Sequence, residues 1–315
     1  MESKISDLNV LILGASGHLG CQIVKNLCEN HQKDVKCSLL VPSESRDKLN
    51  VWEKKLNGKI FCFDVLKDSC EDFVNILKDF TLVLNCMNFF DHEEELKAET
   101  RVIESCIKAN VKYYIPSDFS IDFTKLDNTE MLPRIDVRKK VHALLNQNTQ
   151  LKWISILCGI FIEKLLQVSF IVDTKKHALN FYGTGDEEFE ISNYEDVAKF
   201  VSELIARKEF TKFEYQFVPI YSDRITMNKF GGWLKDVWGG NVKLNCLGRS
   251  ISDLDKKLRE CEKSDKELYY YLQYMKVIVL NKTKIDKIDN QVWPTISKVG
   301  ARQCLGQLTE TGTAI

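Results

Sequence analysis

The sequence lacks the features that mark several large classes of protein. Its formal net charge is −1, so charge gives no reason to expect nucleic acid or an anionic membrane surface as the main partner. The eleven cysteines contain no Cys-x-x-Cys pair and no zinc-finger spacing with histidine, so no metal site is predicted. We interpret most of them as small buried hydrophobic side chains in a reducing compartment.

No stretch of the chain is predicted to enter a membrane or to direct secretion. The most apolar segment, residues 153–172, is interrupted by charged residues such as Glu163 and Lys164. Glu2 and Asp7 interrupt any apolar leader before the first predicted strand. We therefore expect a cytoplasmic protein, and 315 residues are enough for one large domain or two closely joined ones.

The most informative stretch is residues 9–20, where three glycines follow an apolar run of strand length. Gly14 suits a tight turn, and Gly17 lets backbone N–H groups approach a pyrophosphate at the start of the next helix. Gly20 lets that helix lie close to the strand, as in a dinucleotide-binding unit. The predicted pyrophosphate contacts are Gly14, Ser16, Gly17, His18, Leu19 and Gly20.

Apolar segments of strand length alternate with helical patterns through the first half of the chain. The strands are almost continuous apolar runs, which is typical of a parallel sheet covered by helices on both faces. We therefore predict an α/β, Rossmann-type, doubly wound parallel sheet with its ligand at the carboxyl ends of the strands. The predicted strands span residues 10–13, 35–41, 59–63, 81–86, 112–115 and 151–157, and the predicted helices after the first include 48–56, 70–80, 93–109 and 136–146.

The second half has a less regular pattern and predicts a smaller C-terminal α+β substrate lobe. We place the nucleotide-binding domain at residues 1–157, completed by parts of 190–222, and the substrate-binding lobe at 158–315. Within that half we predict helices over 159–172, 195–207, 224–238 and 251–274, and strands over 179–182, 189–191, 213–220, 242–247 and 276–280.

The end of the second predicted strand bears on which dinucleotide binds. Enzymes that prefer NAD place an acidic residue there, whereas a 2′-phosphate needs donors and positive charge. Ser43, Ser45, Arg46 and Lys48 supply these, so we expect NADPH, with NADH as the weaker alternative. Glu44 could instead bind a ribose, and Asp64 could accept from the adenine amino group.

Residues after the fourth and fifth predicted strands should lie near the nicotinamide. These are Asn85, Cys86 and Met87 after the fourth strand, and Pro116 and Ser117 after the fifth. The alternative for each is a cap at the end of a strand, without contact to a ligand. His92 also follows the fourth strand, at the expected mouth of the pocket, and is a candidate with a structural role as its alternative.

Four segments carry a resemblance to a known family: residues 14–20, 111–119, 152–161 and 181–186. Over roughly residues 8–235 the chain resembles the isoflavone reductase-like and NmrA-like branch of the atypical short-chain dehydrogenases. The resemblance implies a domain that binds NADPH, a small C-terminal lobe, and a monomer or homodimer. Enzymes of this branch reduce small, often aromatic, electrophiles, whereas other members bind the dinucleotide and act as regulators.

The resemblance also implies a lysine near the start of the helix after the fifth strand. Matching apolar positions puts Arg138 at that site, whereas counting back from the sixth strand puts Lys139 there. Arginine stays protonated, so Arg138 could orient a ribose but could not act as a base; Lys139 would keep lysine chemistry. Both are candidate catalytic residues, and the alternative for both is a solvated basic patch. We expect an apolar substrate pocket shaped by Phe119, Phe161 and Tyr182.

Two functions remain open at this point. None of the ten tyrosines has a lysine four residues later, so the Tyr-x-x-x-Lys pair of typical short-chain dehydrogenases is missing. Hydride delivery to a conjugated electrophile needs less acid–base help, so an NADPH-dependent reductase of a small aromatic or conjugated substrate stays open. The alternative is a regulator that binds NAD(P) and reports its occupancy to a protein partner.

Overall fold

The structure, a computed structural model, describes residues 8–127, 132–285, 288 and 290–310. Its strands are short and follow one another closely along the chain. They are β1 (Asn9–Leu13), β2 (Lys36–Val41), β3 (Ile60–Cys62), β4 (Leu82–Asn85), β5 (Tyr113–Ile115), β6 (Lys152–Leu157), β7 (Ile160–Phe161), β8 (Val172–Asp173), β9 (Ala178–Tyr182), β10 (Phe189–Ser192), β11 (Gln216–Pro219), β12 (Asp223–Ile225) and β13 (Lys243–Gly248).

The helices occupy the segments between these strands and the carboxyl-terminal region. They are α1 (His18–Asn30), α2 (Cys70–Leu77), α3 (His92–Lys108), α4 (Pro133–Asn146), α5 (Ile162–Gln167), α6 (Tyr194–Ala206), α7 (Met227–Trp238), α8 (Ile251–Cys261), α9 (Lys266–Val279) and α10 (Ala301–Glu310). Several begin at a side chain that accepts from the first turn: Asp91 caps α3, Thr226 caps α7 and Ser250 caps α8. Short 3₁₀ helices span Ser43–Trp52, Phe123–Lys125, Glu209–Phe213 and Trp293–Thr295.

The central sheet has seven strands in the order β11-β6-β5-β4-β1-β2-β3, and neighbouring strands are parallel. Val10 and Ile12 face a core shared with α1 and α6, whereas Leu11 and Leu13 face a second core shared with α2, α3 and α4. The strands inside the sheet are buried on both faces, which is why they are nearly uniform apolar runs, whereas the edge strands β3 and β11 are partly exposed. The predicted Rossmann-type doubly wound fold is therefore confirmed.

The order of the strands creates a switch point between β1 and β4. The chain runs from β1 outwards through β2 and β3, then returns to the other side of β1 as β4. The connection that follows β1 therefore leads to one side of the sheet, and the connection that follows β4 leads to the other side. In doubly wound folds the ligand crevice forms at this point.

Two smaller sheets, in the orders β12-β10-β7 and β13-β9-β8, build the second region with α5 and α7–α10 around a separate apolar core. However, two later elements return to the first region: β11 pairs with β6, and α6 packs against α1. The exact domain limits proposed from the sequence stay a prediction.

Several predictions for the second region were wrong. The helix expected over 159–172 is a short helix, Ile162–Gln167, between β7 and β8. Ile160 pairs with Ile191 of β10, so an apolar run that could suit a helix is used partly as a strand. The strand expected over 276–280 is the end of α9, because Met275 and Ile278 continue its helical spacing into the core.

The two strands expected on either side of the Gly183 turn exist but do not pair with each other. β9 joins β8 and β13, whereas β10 joins β7 and β12. Within the described part of the chain, no helix is both long and apolar enough to cross a membrane.

Candidate functional site

The turn between β1 and α1 is built by close approaches of backbone. Gly14 has φ +72°, and a Cβ on it would lie 2.7 Å from the backbone nitrogen of Met87. A Cβ on Gly20 would lie 2.4 Å from the carbonyl oxygen of Gly14. Gly17 caps α1, its N–H donates to the Gly14 carbonyl at 3.0 Å, and no described side chain caps the helix. Backbone N–H groups at the start of α1 are thus available to an anion.

A cavity of about 940 Å³ opens at the carboxyl ends of the central strands and extends from this turn to α9. Pro42 and Phe63 follow β2 and β3 at one end, and Tyr271 and Ile278 lie at the other. Many residues singled out in the sequence line this one space. They are Gly14, Ser16, Gly17, His18, Leu19, Lys48, Asp64, Cys86, Met87, Ser117, Phe119, Arg138 and Phe161.

A second cavity, of about 400 Å³, lies at the opposite edge of the sheet beside Leu8, Val35 and Asn57. It adjoins the amino-terminal ends of β1 and β2, away from the glycine turn. Parallel α/β sheets bind ligands at the carboxyl ends of their strands, so we regard the larger cavity as the candidate site. Among the described residues, no group of three His, Cys, Asp or Glu side chains could hold a metal ion.

Some residues singled out in the sequence lie outside the described lining of the cavity. Arg46 donates to Glu53 at 2.6 Å and to Asn50 at 2.9 Å, so its guanidinium serves the 3₁₀ helix after β2. Lys139 is also directed elsewhere, because its Nζ donates to the carbonyl of Leu126 at 2.6 Å. The others outside the lining are Gly20, Ser43, Ser45, Asn85, Pro116 and Tyr182, the last of which belongs to the core of the second region.

The end of the cavity near β2 and β3 carries both signs of charge. Glu44 and Lys48 line it, and so does Lys67, which the sequence analysis did not single out. Lys67 Nζ lies 2.9 Å from the carboxylate of Asp64. Four donors for a 2′-phosphate were expected here, but only Lys48 of those four lines the cavity. The charge at this end is therefore balanced between two lysines and two acidic residues.

His18 begins α1 beside the glycine turn. Its ring stacks on Tyr194 with centroids 5.6 Å apart, and Tyr194 packs on Phe161 at 4.4 Å. Partial burial, with the nearby charge of Lys164, lowers the pKa of His18. A bound phosphate would act in the opposite direction, since an adjacent anion favours the imidazolium.

Arg138 is a buried cation that faces the cavity. It is 7 % exposed, and its Nε and Nη1 have no hydrogen-bond partner among the described residues. Its guanidinium lies 6.0 Å from the centroid of Phe123, and its Nε lies 3.8 Å from the Asp118 carboxylate. Burial by itself lowers the pKa of Arg138, but the acidic groups of Tyr274, Asp118 and Glu95 outweigh it and the pKa is raised.

Asp118 holds this arginine from behind the cavity. Its Oδ2 lies 2.6 Å from Nε2 of His142 and accepts from the Ser155 hydroxyl at 2.7 Å. His142 lies on α4 and is 6 % exposed. The network therefore supplies a fixed counter-charge to Arg138 without accepting a hydrogen bond from its Nε.

A second buried network supports the backbone after β4. The side-chain Oδ1 of Asn85 accepts from the Met87 N–H at 2.9 Å, and its Nδ2 donates to Glu99 at 2.8 Å. Tyr114 donates to the other oxygen of Glu99 at 2.5 Å. Burial raises the pKa of Glu99 to about 7. Asn85 thus shapes the wall of the cavity from behind it.

The far wall is formed by one face of α9. Most of this segment was predicted to be helical, but none of its residues was predicted to line a site. Three consecutive tyrosines fall within this helix. Two of them, Tyr270 and Tyr271, lie four and three residues before Tyr274, and this helical spacing was the signal available in the sequence. The residues that line the cavity recur at three- and four-residue intervals, as one helical face does. They are Glu267, Tyr270, Tyr271, Tyr274, Met275 and Ile278.

His92 lies behind this wall rather than in the lining. Its Nδ1 is 3.5 Å from Glu95, its ring packs against Tyr270 at 4.8 Å, and its buried Nε2 has no partner among the described residues. Arg134 joins the same group, with its Nε 3.4 Å from Glu95 and its Nη2 donating to Asn88 at 2.8 Å. These contacts connect the segment after β4 to α9 across the mouth of the cavity.

Comparisons with known proteins agree with this architecture. A family model described as the NmrA-like family matches residues 6–299. An NmrA-like family domain-containing oxidoreductase of Gibberella moniliformis is 19% identical over 205 residues, which are 62% of this chain and 66% of that protein. The chain is thus matched over just under two thirds of the length of this relative.

Solved structures extend the likeness to almost the whole chain. Isoflavone reductase has a TM-score of 0.74 at 17% identity, with 96% of this chain and 100% of that one covered. The binary complex of leucoanthocyanidin reductase and NADPH from Vitis vinifera has a TM-score of 0.77 at 15% identity, with 96% and 99% covered. At these identities the likeness concerns the fold.

Proposed function

Because the chain belongs to the NmrA-like family, we propose that it is an NADPH-dependent reductase of a small aromatic or conjugated substrate. One observation carries the proposal. A single cavity joins a glycine turn suited to a pyrophosphate to an apolar chamber that contains the buried cation Arg138. A dinucleotide along the strand ends would bring its reactive ring towards that chamber.

The residues at the strand ends fit such a cofactor. The uncapped start of α1 and Ser16 offer donors to the pyrophosphate, and Lys48 and Lys67 offer positive charge to a 2′-phosphate. Bound NADPH would supply a hydride. The leucoanthocyanidin reductase of similar fold was solved with NADPH, which supports the choice over NADH.

The apolar chamber fits a conjugated or aromatic substrate. Phe119, Phe161, Leu165, Met275 and Ile278 line it and exclude water from a substrate of the same character. Of the two candidates for the family's lysine site, Arg138 lies in the chamber and Lys139 does not. We therefore assign Arg138, and not Lys139, to the orientation of cofactor and substrate.

The reductase is tested by NADPH consumption with a panel of conjugated carbonyl compounds. Calorimetry first establishes that the dinucleotide binds. Arg138→Leu should lower kcat/KM by about 100-fold, as loss of a charged group at the reacting centre commonly does. Lys139→Ala is the control and should stay within about 3-fold of the wild type. Equal losses in both variants would contradict the assignment of Arg138.

A second function is favoured by the same arginine. Arg138 cannot act as the base that the family's lysine supplies, which suits a regulator that binds NAD(P) without turnover. In that case calorimetry would detect tight binding, but no compound of the panel would be reduced. The dinucleotide would then have to change affinity for a protein partner, which co-purification with and without NADPH can measure.

A further inference from the structure

Three polar groups meet at the apolar end of the cavity. Arg138, Ser120 and Tyr274 all line it. The hydroxyl groups of Ser120 and Tyr274 lie 3.4 Å apart, and the Tyr274 hydroxyl interacts with the Arg138 guanidinium. Tyr274 comes from α9 and the other two from the segments after β5, so the group spans both walls.

Among the described residues, none accepts a hydrogen bond from Nε or Nη1 of Arg138, and both nitrogens are buried. A buried N–H without a partner is unfavourable, and an oxygen atom of a ligand would satisfy it. The Asp118 carboxylate already has hydrogen-bond partners in His142 and Ser155. The Glu95 carboxylate already pairs with Arg134 and His92. The unused donors of Arg138 are thus suited to an oxygen brought in by a ligand.

We propose that Arg138 and Tyr274 form an oxyanion site, in which Arg138 binds the carbonyl oxygen of a conjugated substrate and Tyr274 is the proton donor. This inference rests on the proposed reductase. The inference extends the proposed function by naming the group that is recognised and the residue that completes the reduction.

The step balances as follows for an enone. Hydride from NADPH forms the new C–H bond at the β-carbon. The electron pair of the former C=C bond moves to join the α-carbon and the carbonyl carbon, and the C=O pair moves to oxygen. Tyr274 gives its proton to that oxygen, which yields an enol that becomes the saturated carbonyl compound in water. The tyrosinate then takes a proton from solvent.

Tyr274 suits this role better than its neighbours. Arg138 stays protonated at any working pH, so it can stabilise negative charge but cannot give a proton. A serine hydroxyl such as Ser120 is a far weaker acid than a phenol. Although burial opposes it, a hydrogen bond with His92 and the charges of Arg134 and Arg138 lower the pKa of Glu95, so Glu95 is a carboxylate and not a proton donor. The charge of Arg138 also stabilises the tyrosinate left behind.

The kinetic experiment uses 2-cyclohexenone and cinnamaldehyde with NADPH. Tyr274→Phe removes one hydroxyl group and should lower kcat by about 100-fold, the contribution typical of a general acid. Its affinity for NADPH, measured by calorimetry, should not change. Tyr269→Phe is the control, since Tyr269 lies on the same helix but not in the described lining, and it should retain full kcat.

A binding experiment tests the oxyanion site without turnover. The probe is 4-nitrophenol, whose visible absorption reports whether the bound form is the anion. The wild type without cofactor should bind the anion, Arg138→Met should bind it at least about 10-fold more weakly, and Arg138→Lys should restore most of the affinity. Thermal unfolding of each variant shows that it is folded.

The outcomes separate this inference from the reductase itself. If the wild type reduces the enones and Tyr274→Phe is equally active, Tyr274 is not the donor and the reductase still stands. Binding of the anion that is unchanged in Arg138→Met would overturn the oxyanion site. If NADPH binds but the wild type reduces neither these enones nor any other conjugated carbonyl compound of the panel, the binding of a substrate carbonyl at this site falls. Reduction of a conjugated electrophile without a carbonyl group, such as β-nitrostyrene, would in that case leave the reductase in place.

Discussion

The two walls of the cavity are built in different ways. The wall at the strand ends is built around close backbone contacts, with Gly14 packed against the segment after β4 and Gly20 against Gly14 itself. The wall opposite consists of side chains on one face of α9, with Tyr271 and Tyr274 among them. Backbone contacts leave no room for change, whereas rotatable side chains can vary in size and chemistry. The first wall therefore suits a constant cofactor, and the second suits a substrate that differs between relatives.

The largest expected effect is a loss of stability when Asp118, which lies behind the first wall, is replaced. Asp118→Asn removes the negative charge that faces Arg138 and His142, and a buried charge that loses its partner costs about 3–5 kcal/mol of unfolding free energy. Urea unfolding measures the loss. The control is Asp236→Asn, whose partner Arg302 is exposed, and it should cost less than about 1 kcal/mol. Similar losses in both variants would contradict the structural role of Asp118.

A single methyl group added at Gly14 should disrupt the turn in the first wall and weaken cofactor binding. Gly14→Ala places a Cβ 2.7 Å from the carbonyl carbon of Cys86, at a φ of +72°, so the turn must shift. The Kd for NADPH should rise about 100-fold by calorimetry, which is about 3 kcal/mol. Gly232→Ala is the matched control: its Cβ meets no described atom within 4 Å, and in α7 it should raise stability by about 0.5–1 kcal/mol. Near-normal affinity in Gly14→Ala would mean that the turn is not the pyrophosphate site.

The pH dependence of the unfolding free energy tests whether buried Glu99 supports the same wall. Burial raises the pKa of Glu99 from 4.5 to about 7, so the folded protein binds more protons than the unfolded chain between these values. The unfolding free energy from this group therefore falls as pH rises through that window, by roughly 2–3 kcal/mol between pH 5 and 8.

The measurement compares urea unfolding of the wild type and of Glu99→Gln at both pH values. The variant should lose most of this decline, whereas Glu104→Gln, at an exposed position of the same helix, should keep it. An equal decline in Glu99→Gln and the wild type would show that another group is responsible.

The smallest effect concerns the choice of dinucleotide. Lys48→Ala should raise the Kd for NADPH about 5- to 10-fold and leave that for NADH unchanged, since only NADPH has the 2′-phosphate. Arg46→Ala is the control, because its guanidinium is paired with Glu53 and Asn50. Calorimetry with both coenzymes measures the difference. Tighter binding of NADH than NADPH by the wild type would remove Lys48 from this role.

The first wall could be predicted because its signals are local. The glycine turn, the buried strand before it and the helix after it lie within residues 9–30, so their spacing carries the geometry. The same reasoning was less successful at Arg46, because a charged side chain after β2 can bind either a ligand or its own helix. It could not choose between Arg138 and Lys139, which differ by one position on α4.

The sequence by itself determined the doubly wound sheet, the glycine turn and the family to which the chain belongs, because each depends on residues that are neighbours along the chain. Tertiary structure alone decided which helix closes the cavity, that Arg138 and not Lys139 faces it, and that Asp118 and His142 hold that arginine. Those contacts join residues far apart in the chain, and their partners depend on how the two regions pack.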